Sequence, residues 1–285
     1  MTSKVGIIGY PINHSISPVF QQAAFNHYGL DIRYQIWKIN PDYLKQAVAE
    51  LRQPHVLGFN VTVPYKELIM AELDEITQEA ADIGAVNTVI NQKGNLVGHN
   101  TDGRGFIRGL REEGNFEPRG KTALVIGAGG SAKAVSHHLL ENRLSHLIIA
   151  NRTTERAQNL RAALRSLGHK NIHLVSLTEN DLKPILTSNS PPDLIVNCTS
   201  IGMVGGPAPT QTIIEPHLIP HSSLICDLVY NPLITPLLRS SKDSGARILT
   251  GLPMLIYQGA LAFNLWSNHE PPIEIMFDAA KKALE

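Results

Sequence analysis

Cysteine is scarce in this 285-residue chain, which carries only Cys198 and Cys226. Two thiols are too few for the disulfide framework of a small secreted domain. Both end apolar runs, LIVNC and SLIC, where a thiol behaves as a small buried hydrophobe. No Cys/His spacing of the zinc-binding kind accompanies them, so no metal is expected. Net charge is missing too: Lys plus Arg is 25 and Asp plus Glu is 25, with no run of one sign. That excludes a nucleic-acid track and a membrane-surface patch. No segment approaches the roughly 18 apolar residues of a membrane span, and the N-terminal MTSKVGIIGYPIN has no small-residue cleavage signal. Internal repeats and low-complexity tracts are absent as well. These absences predict a reduced, soluble, cytoplasmic protein whose partner is a small molecule and neither nucleic acid nor membrane; the sequence does not choose between monomer and homodimer.

What is present is an alternation of strand-like and helix-like patterns, in a chain long enough for two domains of about 100–200 residues each. KVGIIG (4–9) and IRYQIWKI (32–39) read as strands. In PDYLKQAVAELR the positions Leu44, Ala47, Val48 and Leu51 form a helical stripe, with Pro41 in the first turn. HVLGFNVTV returns to strand, and AVNTVINQKGNLVGHN reads as a hairpin. A βαβ series then begins near Lys121: TALVIGAGG, a helix over 131–144, LIIANR, a helix over 154–167, IHLV, DLIVNCTS, SLICDLVY and ARILTG. Strands this apolar suit a parallel sheet covered by helices on both faces. Gly114, Pro118 and Gly120 mark a break, giving expected domains over 1–110 and 111–251. The helical stretch 252–285 is expected to complete the first.

LVIGAGGSAKA places Gly127, Gly129 and Ala132 in G-x-G-x-x-[G/A] spacing, after a strand and at the start of a helix. That is the context the dinucleotide fingerprint requires, because glycines admit the pyrophosphate to the main chain and the helix start supplies N–H groups. A plain strand-to-helix turn is the alternative. At the next strand end, IIANRTTERA offers Asn151, Arg152 and Thr153, with Arg156 one turn on. An acid there reads a ribose hydroxyl and an arginine a 2′-phosphate; Glu155 is close, but two arginines favour NADP.

Three clusters in the first domain carry the remaining chemistry. In GYPINHSISP, Ser17 before Pro18 reads as a helix N-cap, with Phe20, Ala23, Ala24 and His27 as the buried stripe. The same helix start, with Ser15 and Ser17 and with His14 nearby, suits a carboxylate. In FNVTVPYK, alternation sends Asn60 and Thr62 to one face near a strand end, and Lys66 follows Pro64. In GHNTDGRG, Asp102 reads either as a helix cap or as an acid at a site.

Taken in order, GYPINHSISP, NVTVPYK, GAVNT, GHNTDGRG, GAGGSAKA, NRTTERA, NCTSIGM, DLVYNPLITPLL and GLPMLIYQGALAFNLW span nearly the whole chain. With these motifs the chain resembles the shikimate 5-dehydrogenases, which reduce 3-dehydroshikimate to shikimate with NADPH on the route to aromatic amino acids. The resemblance implies an α/β fold of two domains: an open α/β substrate domain and a Rossmann-like NADP-binding domain flanking a cleft. It implies Lys66 and Asp102 as the catalytic pair. Ser15 and Ser17 would hold the substrate carboxylate, with Asn60, Thr62, Asn87, Tyr230 and Gln258 around the ring. Gly127, Ala128, Gly129, Gly130 and Ser131 would take the pyrophosphate, and Asn151, Arg152, Thr153 and Arg156 the 2′-phosphate. Leu228 and Gly251 would lie near the nicotinamide. Ser131, Lys133 and Leu228 depart from the family's commoner residues without touching the chemistry. Two alternatives stand beside this reading: a quinate/shikimate dehydrogenase of broader cofactor use, and a non-catalytic NADP- or metabolite-binding regulator.

Overall fold

The computed structural model describes residues 2–12 and 15–285, so His14 lies outside the described residues. The chain divides into two compact units, residues 1–105 with 256–285, and residues 106–255. Their boundaries fall inside two helices rather than in the 111–120 segment.

The first unit runs β1 (Ser3–Gly9), α1 (Ser17–His27), β2 (Ile32–Lys38), α2 (Leu44–Glu50), β3 (Val56–Val61), α3 (Tyr65–Leu68), β4 (Glu75–Ile76), α4 (Gln78–Ile83), β5 (Thr88–Gln92) and β6 (Asn95–His99). Helix α5 (Asp102–Glu112) starts in this unit and ends in the other. The sheet order is β2-β1-β3-β5-β6-β4. β1 is parallel to β2 and β3, and the β5–β6 hairpin joins antiparallel beside β3. One face of this sheet covers a core built on Ile8, Phe59, Tyr65, Val89 and Leu96.

Local chemistry explains where these elements begin, and it corrects several sequence expectations. Helix α1 starts at Ser17 itself, so Ser17 and Pro18 are its first two residues. Ile16 is the cap and makes no side-chain bond, while Ser15 Oγ accepts from the Ser17 amide at 3.3 Å. The buried face is Ser17, Phe20, Gln21, Ala24 and Phe25; Ala23 is half-buried and His27 exposed. His27 lies in the last turn, where a polar ring fits the exposed carboxyl end better than a core. The turn at Pro41–Tyr43 is a 3₁₀ segment, capped by Asn40 Oδ1, before α2 proper begins.

The second unit runs β7 (Thr122–Ile126), α6 (Gly130–Glu141), β8 (His146–Asn151), α7 (Thr154–Ser166), β9 (Ile172–Ser176), α8 (Glu179–Leu186), β10 (Leu194–Asn197), β11 (Leu224–Asp227), α9 (Pro236–Asp243) and β12 (Arg247–Leu249). Helix α10 (Leu252–Ser267) leads back into the first unit, where α11 (Ile273–Leu284) ends the chain. The sheet is parallel throughout, in the order β12-β11-β10-β7-β8-β9. Counted from β7, this is the doubly wound Rossmann order, with the reversal between β7 and β10. Two apolar layers, one on Val125, Leu147 and Val196 and the other on Leu124, Ile195 and Ile225, cover its two faces. Burial on both sides is why these strands read as continuous apolar runs. Among the described residues, no helix is long and apolar enough to cross a membrane, and no three His, Cys, Asp or Glu side chains converge as a metal site would.

Candidate active site

Lys66 lies in α3, the short turn that Pro64 introduces after β3. Its Nζ donates to Asp102 Oδ2 at 2.5 Å, with side-chain exposures of 13 % for Lys66 and 5 % for Asp102. With this little exposure the cost of desolvating both charges offsets much of their attraction, and either partner is costly to leave alone. Asp102 is therefore not a cap. It is the first residue of α5, and its own amide donates to Asn100 Oδ1 at 3.0 Å. Asn100 handles the helix start, which leaves the Asp102 carboxylate for other work.

The second carboxylate oxygen, Oδ1, accepts from Asn87 Nδ2 at 2.8 Å. Asn87 is fixed from behind: its Oδ1 accepts from the Thr101 amide at 2.7 Å and the Thr101 hydroxyl at 3.2 Å. With the carbonyl oxygen so engaged, the amide nitrogen is the donor to Asp102, to Thr101 Oγ1 at 2.9 Å and to Gln258 Oε1 at 3.2 Å. Gln258 reaches this group from α10 because α5 permits close approach. A Cβ on Gly105 would fall 2.5 Å from the Gln258 backbone nitrogen, so only glycine fits.

Asn60 is buried behind the same group. Its Oδ1 accepts from the Tyr34 hydroxyl at 2.8 Å, and its Nδ2 donates to Asn87 O and Thr88 Oγ1. Thr62 lies one residue past the end of β3, half-buried, so alternation within the strand does not set its direction. The geometry thus joins Lys66, Asp102, Asn87 and Gln258 in one hydrogen-bonded group, with Asn60 attached through Asn87. Ser15 and Ser17 meet each other at the α1 start. Tyr34, Thr88, Asn100 and Thr101 complete the group and escape sequence reading; the neighbours N-T-D (100–102) and N-T (87–88) are the only signal they give.

In the second unit, the turn after β7 sits at the reversal of strand order. Gly127 has φ +119°, which only glycine adopts readily, and its amide donates to Ala150 O at 2.8 Å. Helix α6 opens at Gly130, one residue earlier than its apolar pattern suggests. Its cap, Gly129, offers no side-chain bond and has open space where a Cβ would stand. An uncapped helix start with room before it fits a pyrophosphate. At the end of β8, Asn151 Nδ2 donates to Thr153 O, and Arg152 and Arg156 are exposed. No acid stands at the strand end itself, so the corner suits a phosphate. Leu228 and Tyr230 are half-buried on the loop after β11, and Gly251 packs against the Leu228 carbonyl.

A Rossmann unit whose first turn suits an anion, on one chain with a lysine paired to a buried carboxylate, defines the class: a dinucleotide-linked oxidoreductase. Comparison with known proteins gives the family. The model for the shikimate dehydrogenase substrate binding domain matches residues 7–89, that for shikimate/quinate 5-dehydrogenase residues 112–212, and that for the shikimate 5′-dehydrogenase C-terminal domain residues 251–281. A shikimate dehydrogenase (NADP(+)) of Methanopyrus kandleri is 41% identical over 288 residues, covering 99% of this chain and 96% of that one. A solved shikimate dehydrogenase in complex with NADP+ has a TM-score of 0.90 at 37% identity, over 100% of this chain and 96% of that one. The enzyme from Thermus thermophilus, solved with NADP(H) and shikimate, has a TM-score of 0.86 at 36% identity, over 99% of this chain and 100% of that one. This chain belongs to the shikimate dehydrogenase family.

Proposed function

We propose that this protein catalyses the reversible NADPH-dependent reduction of 3-dehydroshikimate to shikimate in aromatic amino acid biosynthesis. The observation that carries the reading is the ion pair of half-buried Lys66 with buried Asp102, with Asn87 and Gln258 hydrogen-bonded around it. Reducing a ketone places negative charge on oxygen, so a proton must arrive there as the hydride reaches carbon. A bound nicotinamide supplies that hydride. Lys66, whose ammonium carries three protons, gives one to the nascent alkoxide, and Asp102 orients the lysine while accepting from a ring hydroxyl. Asn87 and Gln258 fix the carboxylate and the ring, with Asn60, Thr62 and Tyr230 completing the surround. Ser15 and Ser17 bind the substrate carboxylate at the start of α1. Gly127 to Ser131 take the pyrophosphate, Asn151 to Arg156 the 2′-phosphate, and Leu228 and Gly251 meet the nicotinamide. In this reading residues 1–110, completed by 252–285, form the substrate domain and 111–251 the NADP domain, in a cytoplasmic enzyme.

The assay that tests the proposal is oxidation of shikimate and of quinate, side by side, with NADP+ and with NAD+. Strong turnover of shikimate with NADP+ and little with NAD+ or quinate is expected. Comparable quinate turnover would move the reading to the quinate/shikimate enzymes, whose looser cofactor use the Arg152 and Arg156 corner argues against. No turnover of either would favour a non-catalytic binder.

A further inference from the structure

A second buried acid, outside the Lys66 group, stands at the carboxyl end of β11. Asp227 is fully buried, and its carboxylate accepts from three segments of the second unit. Oδ1 accepts from Asn197 Nδ2 at the end of β10, at 2.9 Å, and from the Val229 amide at 3.0 Å. Oδ2 accepts from Thr235 Oγ1 at 2.6 Å. That hydroxyl in turn caps α9 by accepting from the Leu238 amide at 3.2 Å. Asn197 is itself held, its Oδ1 accepting from the Thr199 amide and hydroxyl at 3.0 and 2.7 Å.

All three donors are neutral, and burial pushes the Asp227 carboxyl up to about 6. Burying an acid without a countercharge costs stability, so packing alone does not ask for one here. What the carboxylate does achieve is local. The amide it grips lies between Leu228 and Tyr230, and charge-assisted bonds are the strong, directional kind. Its other two donors anchor that grip to β10 and to the start of α9, so the segment cannot shift without breaking a buried network.

We propose that Asp227 is a positioning residue for the dehydrogenase reaction, holding residues 228–230 so that Leu228 meets the nicotinamide and Tyr230 the substrate ring. The proposal rests on the assignment of Leu228 and Tyr230 to the reacting end of the site. Small displacements of positioning groups cost rate well beyond their cost in binding. The adenosine end, on β8 and α7, has no part in this network.

The experiment compares Asp227→Asn with the parent in two readouts: kcat for NADP-linked shikimate oxidation, and affinity for adenosine 2′,5′-bisphosphate, which carries the phosphate end of the cofactor and no nicotinamide. The expected result is a fall in kcat of about tenfold or more with bisphosphate affinity within about twofold. Unchanged kcat overturns the proposal. So do equal losses in both readouts, because they mark Asp227 as fold support alone. If Asp227→Asn does not fold, Thr235 decides. Thr235→Ser keeps the hydroxyl and should match the parent, Thr235→Val should lower kcat, and equal kcat in the two overturns the proposal. A parent that binds the bisphosphate but never turns over shikimate overturns the underlying assignment instead, and the proposal with it.

Discussion

Each unit buries an aspartate close to a strand end, and the two are held in opposite ways. Asp102 faces a cation, Lys66, at 2.5 Å and takes one neutral amide from Asn87. Asp227 faces only neutral donors, from Asn197, Val229 and Thr235. In the proposed mechanism the cation makes the first aspartate one half of a proton-donating pair, in which Asp102 orients Lys66. The ring of neutral donors makes the second a fastener, and burial, larger than the three hydrogen bonds that oppose it, pushes its carboxyl up to about 6. Residue type is the same in both places; the partner decides what it does.

Lys66→Ala removes the cation and makes Asp102 resemble Asp227, which gives the largest effect. kcat should fall by about a thousandfold, within the range for lost general acid–base catalysis, with KM for shikimate changed far less. Steady-state kinetics checks this, and a nearly unchanged kcat would remove Lys66 from the chemistry.

Next comes pH. With Asp227 at about 6 when folded and near 3.8 otherwise, the folded chain binds more protons than the unfolded one between those values. Its contribution to stability is complete below the unfolded value and lost as pH rises through about 6, at most about 3 kcal/mol. Burial moves His99 the other way, lowering its pKa, so that ring works against stability as pH falls. Denaturant unfolding of parent and Asp227→Asn at pH 5 and pH 7.5 separates the two. The parent should gain on the variant at the lower pH, and a constant difference between them would contradict the assignment.

The exposed arginines of the second unit give a third comparison, cations at the surface against the half-buried Lys66. Arg152→Ala should cut the preference for NADPH over NADH by roughly thirtyfold, or about 2 kcal/mol, and leave NADH turnover alone. Ratios of kcat/KM read it directly. The smallest effect concerns the kind of neutral donor that both acids use, an asparagine amide. Asn87→Ala should cost about 1–2 kcal/mol of unfolding stability, because the buried Thr101 amide loses its acceptor. Little change in denaturation would mean that water fills the gap.

The second unit is the more legible from sequence. Its strands are apolar on both faces, so βαβ order and the Gly127 turn stand out, and helix α6 begins within one residue of its expected place. In the first unit the helix start at Ser17 departs from the expected cap, because Ser-Pro is also a good first turn when the capping oxygen comes from Ser15. Lys66 and Asp102 are legible only through the resemblance, since neither a lysine after Pro64 nor an aspartate at a helix start is unusual by itself. Asn100 takes the capping duty that the sequence offers to Asp102. Asp227 opens the DLVYNPLITPLL motif but its role is not legible there: an acid after SLIC reads as the polar end of a strand, and the three converging donors reveal the rest.

In the proposed mechanism Lys66 and Asp102 act as one unit, and a double-mutant cycle measures that coupling. kcat for NADP-linked shikimate oxidation would be measured for Lys66→Ala, Asp102→Asn and the double variant. If the pair is one device, the double variant is about as slow as the slower single variant. Losses that multiply, each substitution costing the same in either background, would contradict it.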